Sequence, residues 1–334
     1  MKTSRFKALI VEEIAPKQFS RRVGERTIGD LPSGELLIRV SWSSLNYKDA
    51  LSATGNPGVT RNFPHTPGID AAGTVAACSD GSFNIGQQVL ATGYDLGMNT
   101  SGGFGQYIRV PSAWAVPLPD GLTLKESMML GTAGFTAALS VLKLAAGGVM
   151  PEQGEILVTG ASGGVGSIAV ALLAKAGYRV TASTGKIAEE AFLRGLGATE
   201  VMQRDELLQG AERPMLKERW AGVVDVVGGE TLAAAIKSTR YGGSVTCCGL
   251  VGSADLNMNV FPFILRGVSL LGIDSVQCPM EPRRKVWQKL ATEWKLENLG
   301  DAVHEITLEG LEPAIQAMLR GESKGRTVVN LAST

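Results

Sequence analysis

The sequence is poor in the residues that most often bind metal ions, with two histidines and four cysteines among 334 residues. A catalytic zinc site needs three such ligands and a structural zinc site needs four. The cysteines form no C-x-x-C pair, and the adjacent Cys247 and Cys248 have poor geometry for a disulfide. His65 precedes a Thr-Pro-Gly turn and is expected to be a polar loop residue rather than a ligand. We therefore expect no metal site.

The sequence also lacks an excess of charge of either sign. Lysine plus arginine and aspartate plus glutamate both total 32, so the formal net charge is zero. Nothing in the bulk electrostatics favours nucleic acid or an anionic membrane surface. The start, MKTSRFKALIVEE, has no apolar core of a signal peptide, and the most apolar run, SIAVALLAKAG, is too short to span a bilayer. We expect a cytoplasmic protein with no nucleic-acid or membrane partner.

The length and composition predict a globular chain of two domains. Hydrophobic residues make up 44% of the sequence and charged residues 19%. Residues 1–125 are β-rich, because short apolar strands such as ELLIRVSWSSL, AAGTVAA and QQVLATG alternate with turn signals. In the tail, residues 300–334, we expect an amphipathic helix and a last strand, GRTVVNL, that rejoins this domain. The pattern indicates a small, strongly bent, barrel-like domain.

Residues 126–299 have a different predicted pattern, in which helices and strands alternate. Thr123 and Glu126 form a start signal for a long helix, and from residue 155 apolar strands alternate with helices. The strands are EILVTGA, RVTAST, GVVDVVGG, GGSVTCCGL and VSLLGIDSV. Such alternation is typical of a doubly wound parallel sheet, so the fold class is α/β with a second, β-rich domain.

A glycine-rich loop, VTGASGGVGSIAV at 158–170, follows a predicted strand and opens a predicted helix. In this context a pyrophosphate can lie against backbone N–H groups at the helix N-terminus, where side chains would block it. We predict that the loop binds a dinucleotide. The predicted contacts are Ser162, Gly163, Gly164 and Val165.

The next strand indicates which dinucleotide is bound. An NAD site usually has an acidic residue about 20 positions past the glycines, on the ribose 2′-hydroxyl. Here the strand ends TASTGK, with no acid. Hydroxyl groups and the positive charge of Lys186 would favour a 2′-phosphate, so we predict NADP(H). The predicted contacts are Ser183, Thr184, Gly185 and Lys186, with Arg204 at the adenine or the phosphate.

The assembled motifs resemble the medium-chain dehydrogenase/reductase superfamily over essentially the whole chain. Within it, the sequence is most similar to the zinc-free YhdH/AcuI group of NADPH-dependent acryloyl-CoA reductases. The resembling segments are SWSSLNYKDAL, RNFPHTPGIDAAGTV, MMLGTAGFTAALSVL, EILVTGASGGVGSIAVALL, YGGSVTCCGLVG, FPFILRGVSLLGIDSV and GRTVVNL. Zinc-dependent members carry a metal-binding cysteine in the region of Tyr47 and a Gly-His-Glu where this sequence has Gly68-Ile69-Asp70. Enoyl reductases carry Asn-Tyr-x-Asp, which Asn46-Tyr47-Lys48-Asp49 matches.

The resemblance implies a GroES-like domain formed by residues 1–125 and 300–334, and a Rossmann domain formed by residues 126–299. It implies reduction of the C2=C3 bond of a short 2-enoyl-CoA, with hydride added at C3 and a proton at C2. Tyr47 is then a catalytic proton donor, or a cofactor contact whose loss only weakens binding; a phenol stays protonated at neutral pH and can donate. The further cofactor contacts that it implies are Leu250, Ile264, Ser275 and Asn330.

Several expectations stay open at the level of sequence. Arg61, Lys48 and the run 283–285 are candidates for the phosphates of the CoA thioester, although a solvated charged face explains that run better. The apolar strand VSLLGIDSV would be exposed at a sheet edge, and related proteins pair that edge in a homodimer. The alternatives to the acryloyl-CoA reductase are an NADPH:quinone oxidoreductase and an NADPH-binding protein without catalysis.

Overall fold

The computed structural model describes residues 3–297 and 299–333. Its contacts divide the chain into two compact units. The first unit comprises Met1–Thr132, Val276–Thr292 and Asn298–Thr334, and the second comprises Ala133–Ser275 and Glu293–Glu297. Each unit is described separately below.

The first 120 residues form strands and one short helix. The strands are β1 (Arg5–Ala15), β2 (Gln18–Thr27), β3 (Leu36–Leu45), β4 (Asp70–Cys78), β5 (Gln88–Thr92), β6 (Tyr107–Val110) and β7 (Ala115–Pro117). The helix is α1 (Tyr47–Ala53), which directly follows β3. β1 and β2 pair as an antiparallel hairpin of their own. The predicted strands ELLIRVSWSSL, AAGTVAA and QQVLATG are confirmed as β3, β4 and β5.

The middle of the chain alternates helices and strands as predicted. The elements are α2 (Leu124–Ala146), β8 (Glu155–Val158), α3 (Gly164–Lys175), β9 (Arg179–Thr184), α4 (Glu190–Gly195), β10 (Glu200–Gln203), α5 (Arg204–Leu207), β11 (Trp220–Asp225), α6 (Gly229–Lys237), β12 (Thr239–Cys247), α7 (Phe261–Arg266) and β13 (Ser269–Gly272). Within the described residues, six strands form one parallel sheet in the order β10-β9-β8-β11-β12-β13. This order is that of a Rossmann sheet. Successive strands are added toward one edge from β8 to β10 and toward the other edge from β11 to β13, so the order of the strands reverses between β8 and β11.

The tail returns to the first unit. It contains α8 (Met280–Ala291), β14 (Val303–Ile306), α9 (Leu311–Leu319) and β15 (Arg326–Asn330). β15 pairs with β3 in the antiparallel sense, so the prediction that the last strand rejoins the N-terminal domain is confirmed. Among the described residues this sheet has seven strands, in the order β14-β15-β3-β4-β5-β7 with β6 beside β3. Its buried aliphatic side chains pack with α1 and α9 into one core.

The helical segment α2 begins with the predicted start signal and is interrupted at Gly131. The Glu126 backbone N–H donates to Thr123 Oγ1 at 3.1 Å, and the Thr123 N–H donates to Glu126 Oε2 at 2.7 Å. Gly131 has φ 55° and ψ −156°, which ends the first helical stretch and starts the second. By length and composition α2 could span a membrane, but 67% of its apolar window is buried, which is typical of a core helix.

The structure divides the chain differently from the predicted boundaries at 125 and 300. Residues 126–132 and α8 belong to the first unit. One contact that joins α8 to the first unit is made by Arg283, which the sequence analysis assigned to a solvated charged run. It is fully buried, donates to the Thr92 carbonyl at 2.8 Å, and lies over the Tyr94 ring. The expectation of a solvated face was therefore wrong for Arg283, and its burial removes it as a candidate for CoA phosphates.

Candidate functional site

The glycine-rich loop of the second unit has the backbone that the sequence predicts. It leaves β8 and becomes α3 at Gly164, after Gly160 has turned the chain with φ 57°. A Cβ at Gly166 would lie 2.4 Å from the Gly160 carbonyl oxygen, closer than side chains approach backbone. Glycine is thus required at both positions, and the first N–H groups of α3 are left for an anion.

Predicted contacts from the loop and from the end of β9 come together. Ser162 Oγ lies 3.0 Å from Thr184 Oγ1, which also accepts the Lys186 backbone N–H at 3.0 Å. The Ala161 N–H donates to the Ser183 carbonyl at 3.0 Å. The Ser183 hydroxyl is buried and has no hydrogen-bond partner within the described part of the chain. An unpartnered buried hydroxyl beside the loop is an observation that fits a dinucleotide.

Arg204 begins α5 and lies beside the same turn. A Cβ at Gly185 would be 3.7 Å from the Arg204 guanidinium carbon, an ordinary van der Waals distance, so the guanidinium lies against this turn. Arg204 also lines a groove of about 910 Å³ on the second unit, together with Val227, Gly228 and Ser253. Its side chain is about half exposed and therefore available to a ligand.

A buried carboxylate supports this loop from the end of β11, and the sequence analysis missed it. Asp225 accepts the Thr159 hydroxyl at 2.6 Å and the Gly228 N–H at 2.8 Å. Burial raises its pKa, although the donated hydrogen bonds oppose that rise. The signal in the sequence was an aspartate within the apolar run GVVDVV. Asp225 thus ties the residue before Gly160 to the turn after β11.

The cysteines beside Asp225 are protonated thiols at neutral pH. Burial raises the pKa of Cys248 to about 12, and the charge of Asp225 adds to the effect. Burial likewise raises the pKa of Cys247. Because the thiolate is the nucleophilic form, neither residue suits nucleophilic catalysis.

The remaining predicted contacts of the second unit lie beyond the ends of β12 and β13. The side chains of Leu250 and Ile264 are 62% and 69% exposed, unusual for large aliphatic residues, and Ser275 is half-buried. Asn330 lies in the first unit, where its amide donates to Glu305 Oε1 at 2.9 Å. The roles of these four residues toward a cofactor stay predictions.

Tyr47 is the first residue of α1 in the first unit. Tyr47 is 38% exposed, and no hydrogen bond of its hydroxyl is found among the residues that the structure describes. Arg61 is exposed nearby in sequence, and its Nε donates to the Pro57 carbonyl at 3.0 Å. Neither a proton-donating role for Tyr47 nor a phosphate-binding role for Arg61 is tested by these positions, so both stay predictions.

Beneath α1 lies a buried polar cluster, which we define as Ser44, Asn46, Asp49, Asp70, Thr132 and Arg326. Asp70 accepts hydrogen bonds from Ser44 Oγ at 2.6 Å and from Asn46 Nδ2 at 2.7 Å. The N–H of Thr132 donates to it at 2.9 Å, and the Thr132 hydroxyl donates at 2.6 Å. The sequence analysis did not recognise this cluster, although charged residues at 70 and 326 within apolar strands were a signal for it.

Asp49 and Arg326 complete the polar cluster. Asp49 is buried and accepts the N–H of Asn46 and the N–H of Ile69, each at 2.8 Å. Burial raises its pKa to about 7, and the nearby charge of Asp70 adds to that rise. Arg326 is also buried and donates to the carbonyls of Met129 and Leu45 at 3.1 and 3.2 Å. The cluster thus contains two carboxylates and one guanidinium.

His65 lies in the segment between α1 and β4, outside the named strands, as predicted, but it is buried, which the sequence did not predict. Its Nε2 lies 2.9 Å from the Gly97 carbonyl, and burial lowers its pKa to about 4. The backbone of His65 pairs with Val11 of β1 in an isolated antiparallel bridge.

Known proteins match both units. Residues 32–120 match the family model of the alcohol dehydrogenase GroES-like domain, and residues 164–294 match that of the zinc-binding dehydrogenases. The acrylyl-CoA reductase AcuI of Ruegeria pomeroyi is 43% identical over 98% of this chain and 99% of its own. The crystal structure of the yhdH oxidoreductase from Salmonella enterica with NADP has a TM-score of 0.94 at 44% identity, covering 97% of this chain and 99% of the other.

The chain belongs to the YhdH/AcuI group of the medium-chain dehydrogenase/reductase superfamily. YhfP of Bacillus subtilis is 46% identical over 98% of this chain and 99% of its own. The name of YhfP assigns it provisionally to the quinone oxidoreductases. The family resemblance and the predicted combination of a Rossmann sheet with a GroES-like domain are both confirmed.

The residues of this YhdH/AcuI protein do not fit the zinc ion that one family model is named for. Both carboxylate oxygens of Asp70 are already occupied by donors from Ser44, Asn46 and Thr132. Across residues 3–297 and 299–333, no group of three or more His, Cys, Asp or Glu side chains could hold a metal ion. We therefore derive no chemistry from zinc. The glycine loop and the hydroxyl groups beside it do fit a dinucleotide.

Proposed function

We propose that this protein reduces the C2=C3 bond of acryloyl-CoA with NADPH to give propanoyl-CoA. The observation that carries the proposal is the near full-length similarity to the acrylyl-CoA reductase AcuI. The NADP bound by the Salmonella relative agrees with the absence of an acidic residue in TASTGK. The glycine loop, Ser183, Lys186 and Arg204 would hold the cofactor, which when bound supplies the hydride.

Within this proposal Tyr47 is the donor that serves the substrate. Negative charge develops on the thioester oxygen when C3 is reduced, and a positioned hydroxyl stabilises such charge or delivers the proton required at C2. The free and partly exposed hydroxyl of Tyr47 supports this role. We expect Tyr47→Phe to lower kcat by about tenfold or more, with little change in NADPH affinity. An unchanged kcat would remove the catalytic role.

The experiment that tests the function measures NADPH oxidation with acryloyl-, crotonyl- and longer 2-enoyl-CoA esters. We expect the highest kcat/KM with acryloyl-CoA, and propanoyl-CoA as the product by mass spectrometry. The same assay with NADH measures cofactor preference. If no enoyl-CoA ester is reduced, the proposed function is wrong.

A quinone is the second candidate substrate, because the name of YhfP points to that class of reaction. The same enzyme preparation should be assayed with a series of benzoquinones. Reduction of quinones at a kcat/KM above that for acryloyl-CoA would favour this alternative. Tight NADPH binding without turnover of either class would favour a binding protein.

We further infer that the protein forms a homodimer through β13. This strand is the edge of the six-stranded sheet, and Leu270 on it is exposed, as are Phe261, Ile264 and Leu265 on the preceding helix. An unpaired apolar edge is a liability unless another strand covers it. Sedimentation equilibrium should give twice the chain mass of 35.1 kDa. A monomer would contradict the inference. The cytoplasmic location stays a prediction.

A further inference from the structure

The residues on both sides of Tyr47 are fixed, while its ring is left free to meet a ligand. Asn46 directly precedes it at the N-cap position of α1, and Asp49 lies two places after it in the same first turn. The Asn46 N–H donates to Asp49 Oδ2 at 2.8 Å, which closes that turn. The Cα–Cβ direction of Tyr47 is set by this turn, and only its side-chain torsions remain.

Asn46 joins the turn to the rest of the polar cluster. Its Nδ2 donates to Asp70 Oδ2 at 2.7 Å, and its Oδ1 accepts from Arg326 Nη1 at 3.2 Å. Both ends of its amide are therefore used, and they fix the amide orientation. Movement of Asp70 or Arg326 would be transmitted to the residue before Tyr47.

Asp70 is held by three separate segments of the first unit. Ser44 in β3, Asn46 before α1 and Thr132 in α2 all donate to its carboxylate. Glycine at position 131 makes the contact of Thr132 with Asp70 feasible. A Cβ at this position would lie 2.5 Å from both Asp70 Oδ2 and Ser44 Oγ. The interruption of α2 therefore serves the packing of this cluster.

Arg326 is less completely satisfied than Asp70. It is 2% exposed, yet its Nη2 has no hydrogen-bond partner in the described residues and lies 3.9 Å from Asp70 Oδ2. A buried guanidinium nitrogen without an acceptor is costly for folding alone. The position of Arg326, hydrogen-bonded to Asn46 directly before Tyr47, therefore points to a role in the site rather than in stability.

We propose that Asp70 and Arg326 are positioning residues, which act through Asn46 to hold the Tyr47 hydroxyl in its reactive orientation. The inference rests on the proposed function, since it assigns Tyr47 to the reduction. Asp70 and Arg326 are too deeply buried to contact a substrate. Their effect should therefore appear in kcat and only through Tyr47.

A double-mutant cycle of Tyr47→Phe and Asp70→Asn tests this inference in the full-length enzyme. Asparagine cannot accept hydrogen bonds at both terminal atoms, so the four donors around position 70 would lose part of their acceptor. We expect Asp70→Asn to lower kcat roughly fivefold, with KM and NADPH affinity unchanged. In the Tyr47→Phe background the same change should alter kcat by less than about twofold. Additive effects would overturn the inference.

Ser52→Ala is the matched control for loss of a buried hydrogen bond in the same helix. Ser52 is buried in α1, and its hydroxyl hydrogen-bonds with Thr60 Oγ1 at 2.7 Å and with the Gly97 carbonyl at 3.1 Å, neither of which belongs to the polar cluster. We expect Ser52→Ala to lower the melting temperature without changing kcat. If Ser52→Ala lowers kcat as much as Asp70→Asn, general loosening of α1 explains both, and the inference is wrong.

Ser44→Ala is the milder variant if Asp70→Asn does not fold. It removes one 2.6 Å donor from Asp70 and should lower kcat about twofold to threefold, again only when Tyr47 is present. An unchanged kcat would contradict the inference. The outcomes distinguish the two proposals. Full activity of Tyr47→Phe would disprove the catalytic role of Tyr47. If Tyr47→Phe is impaired and its effect adds to that of Asp70→Asn or Ser44→Ala, only the positioning role is disproved.

Discussion

The glycine-rich loop of the second unit and the Tyr47 turn of the first unit are held in place by different physical means. In the second unit the glycine loop depends on backbone shape, since Gly160 has a positive φ and Gly166 leaves space at its carbonyl. In the first unit the turn at Tyr47 depends on side chains, because buried carboxylates and a guanidinium fix Asn46. A backbone site presents N–H groups to a ligand, whereas a side-chain cluster can orient a single hydroxyl.

The glycine loop and the polar cluster should therefore be sensitive to different changes. The backbone loop should fail when a single carbon is added and should respond little to pH. The polar cluster should tolerate changes of shape poorly as well, but its stability should also change with the protonation of Asp49. Three experiments test whether this distinction holds.

The largest effect is expected for Gly166→Ala in the glycine loop. The new Cβ would lie 2.4 Å from the Gly160 carbonyl oxygen and 2.7 Å from Ala161 Cα, so the backbone must shift. A cost of about 2 kcal/mol placed on cofactor binding would raise the NADPH Kd roughly thirtyfold. Fluorescence titration with NADPH measures it.

The control for this substitution is Gly195→Ala at the end of α4. A Cβ at Gly195 has nothing within 4 Å, so NADPH affinity should be unchanged. Stability should be equal or higher by about 0.5 kcal/mol, since alanine reduces the entropy of the unfolded chain. Equal loss of NADPH affinity in both variants would show that the loop is not specially dependent on backbone shape.

An intermediate effect is expected for Arg204→Gln, which tests the part of the second unit that does use a side chain. Loss of a charge-assisted contact with the 2′-phosphate should raise the NADPH Kd roughly tenfold and leave the NADH Kd unchanged. Arg179→Gln is the matched control, because Arg179 lies at the opposite end of β9 and pairs with Glu155. If Arg204→Gln weakens the binding of NADH and of NADPH equally, Arg204 does not contact the 2′-phosphate.

The smallest effect, about 1 kcal/mol for each pH unit, is expected in the pH dependence of stability caused by Asp49. Burial raises its pKa to about 7 in the folded protein, from 3.8 for an ordinary aspartate. The folded state therefore keeps a proton that the unfolded chain has lost. The stabilisation is complete below about pH 4 and is lost as the pH rises toward 7.

We expect the free energy of unfolding of the wild type, relative to Asp49→Asn, to fall by about 1 kcal/mol per pH unit in that range. Urea unfolding at several pH values measures this difference. Buried His65, with a pKa lowered to about 4, acts in the opposite direction but is present in both proteins and cancels. A difference that does not change with pH would show that Asp49 is ionised throughout.

Much of the fold could be predicted because it depends on local patterns. Apolar periodicity predicted β3, β4, β5, β8, β9, β11, β12, β13 and β15, and the Thr123 and Glu126 signal predicted the start of α2. The glycine spacing and the acid-free end of β9 predicted the cofactor loop and the NADP that a close relative binds. These features could be predicted because neighbouring residues alone create them.

The polar cluster could not be predicted, because its members are distant in sequence and meet only in the folded chain. Asp70 and Thr132 are 62 positions apart, and Arg326 and Asn46 are 280 apart. Arg283 was misjudged for the same reason, since its partners Thr92 and Tyr94 belong to a remote strand and turn. From the sequence alone a charged residue is expected to be solvated, because the partners that would allow its burial are distant in sequence.

Sequence patterns alone were enough to predict the two-domain organisation and the dinucleotide loop, and the family resemblance predicted a tyrosine in the region where zinc-dependent members carry a cysteine. The folded structure was needed to find which buried charges surround Asn46 and that Thr132, next to the break at Gly131, contacts Asp70. The two groups of features differ in the range of the interactions that create them. Backbone conformation and periodicity are set by nearby residues, whereas the partner and the pKa of a buried charge depend on segments that only folding brings together.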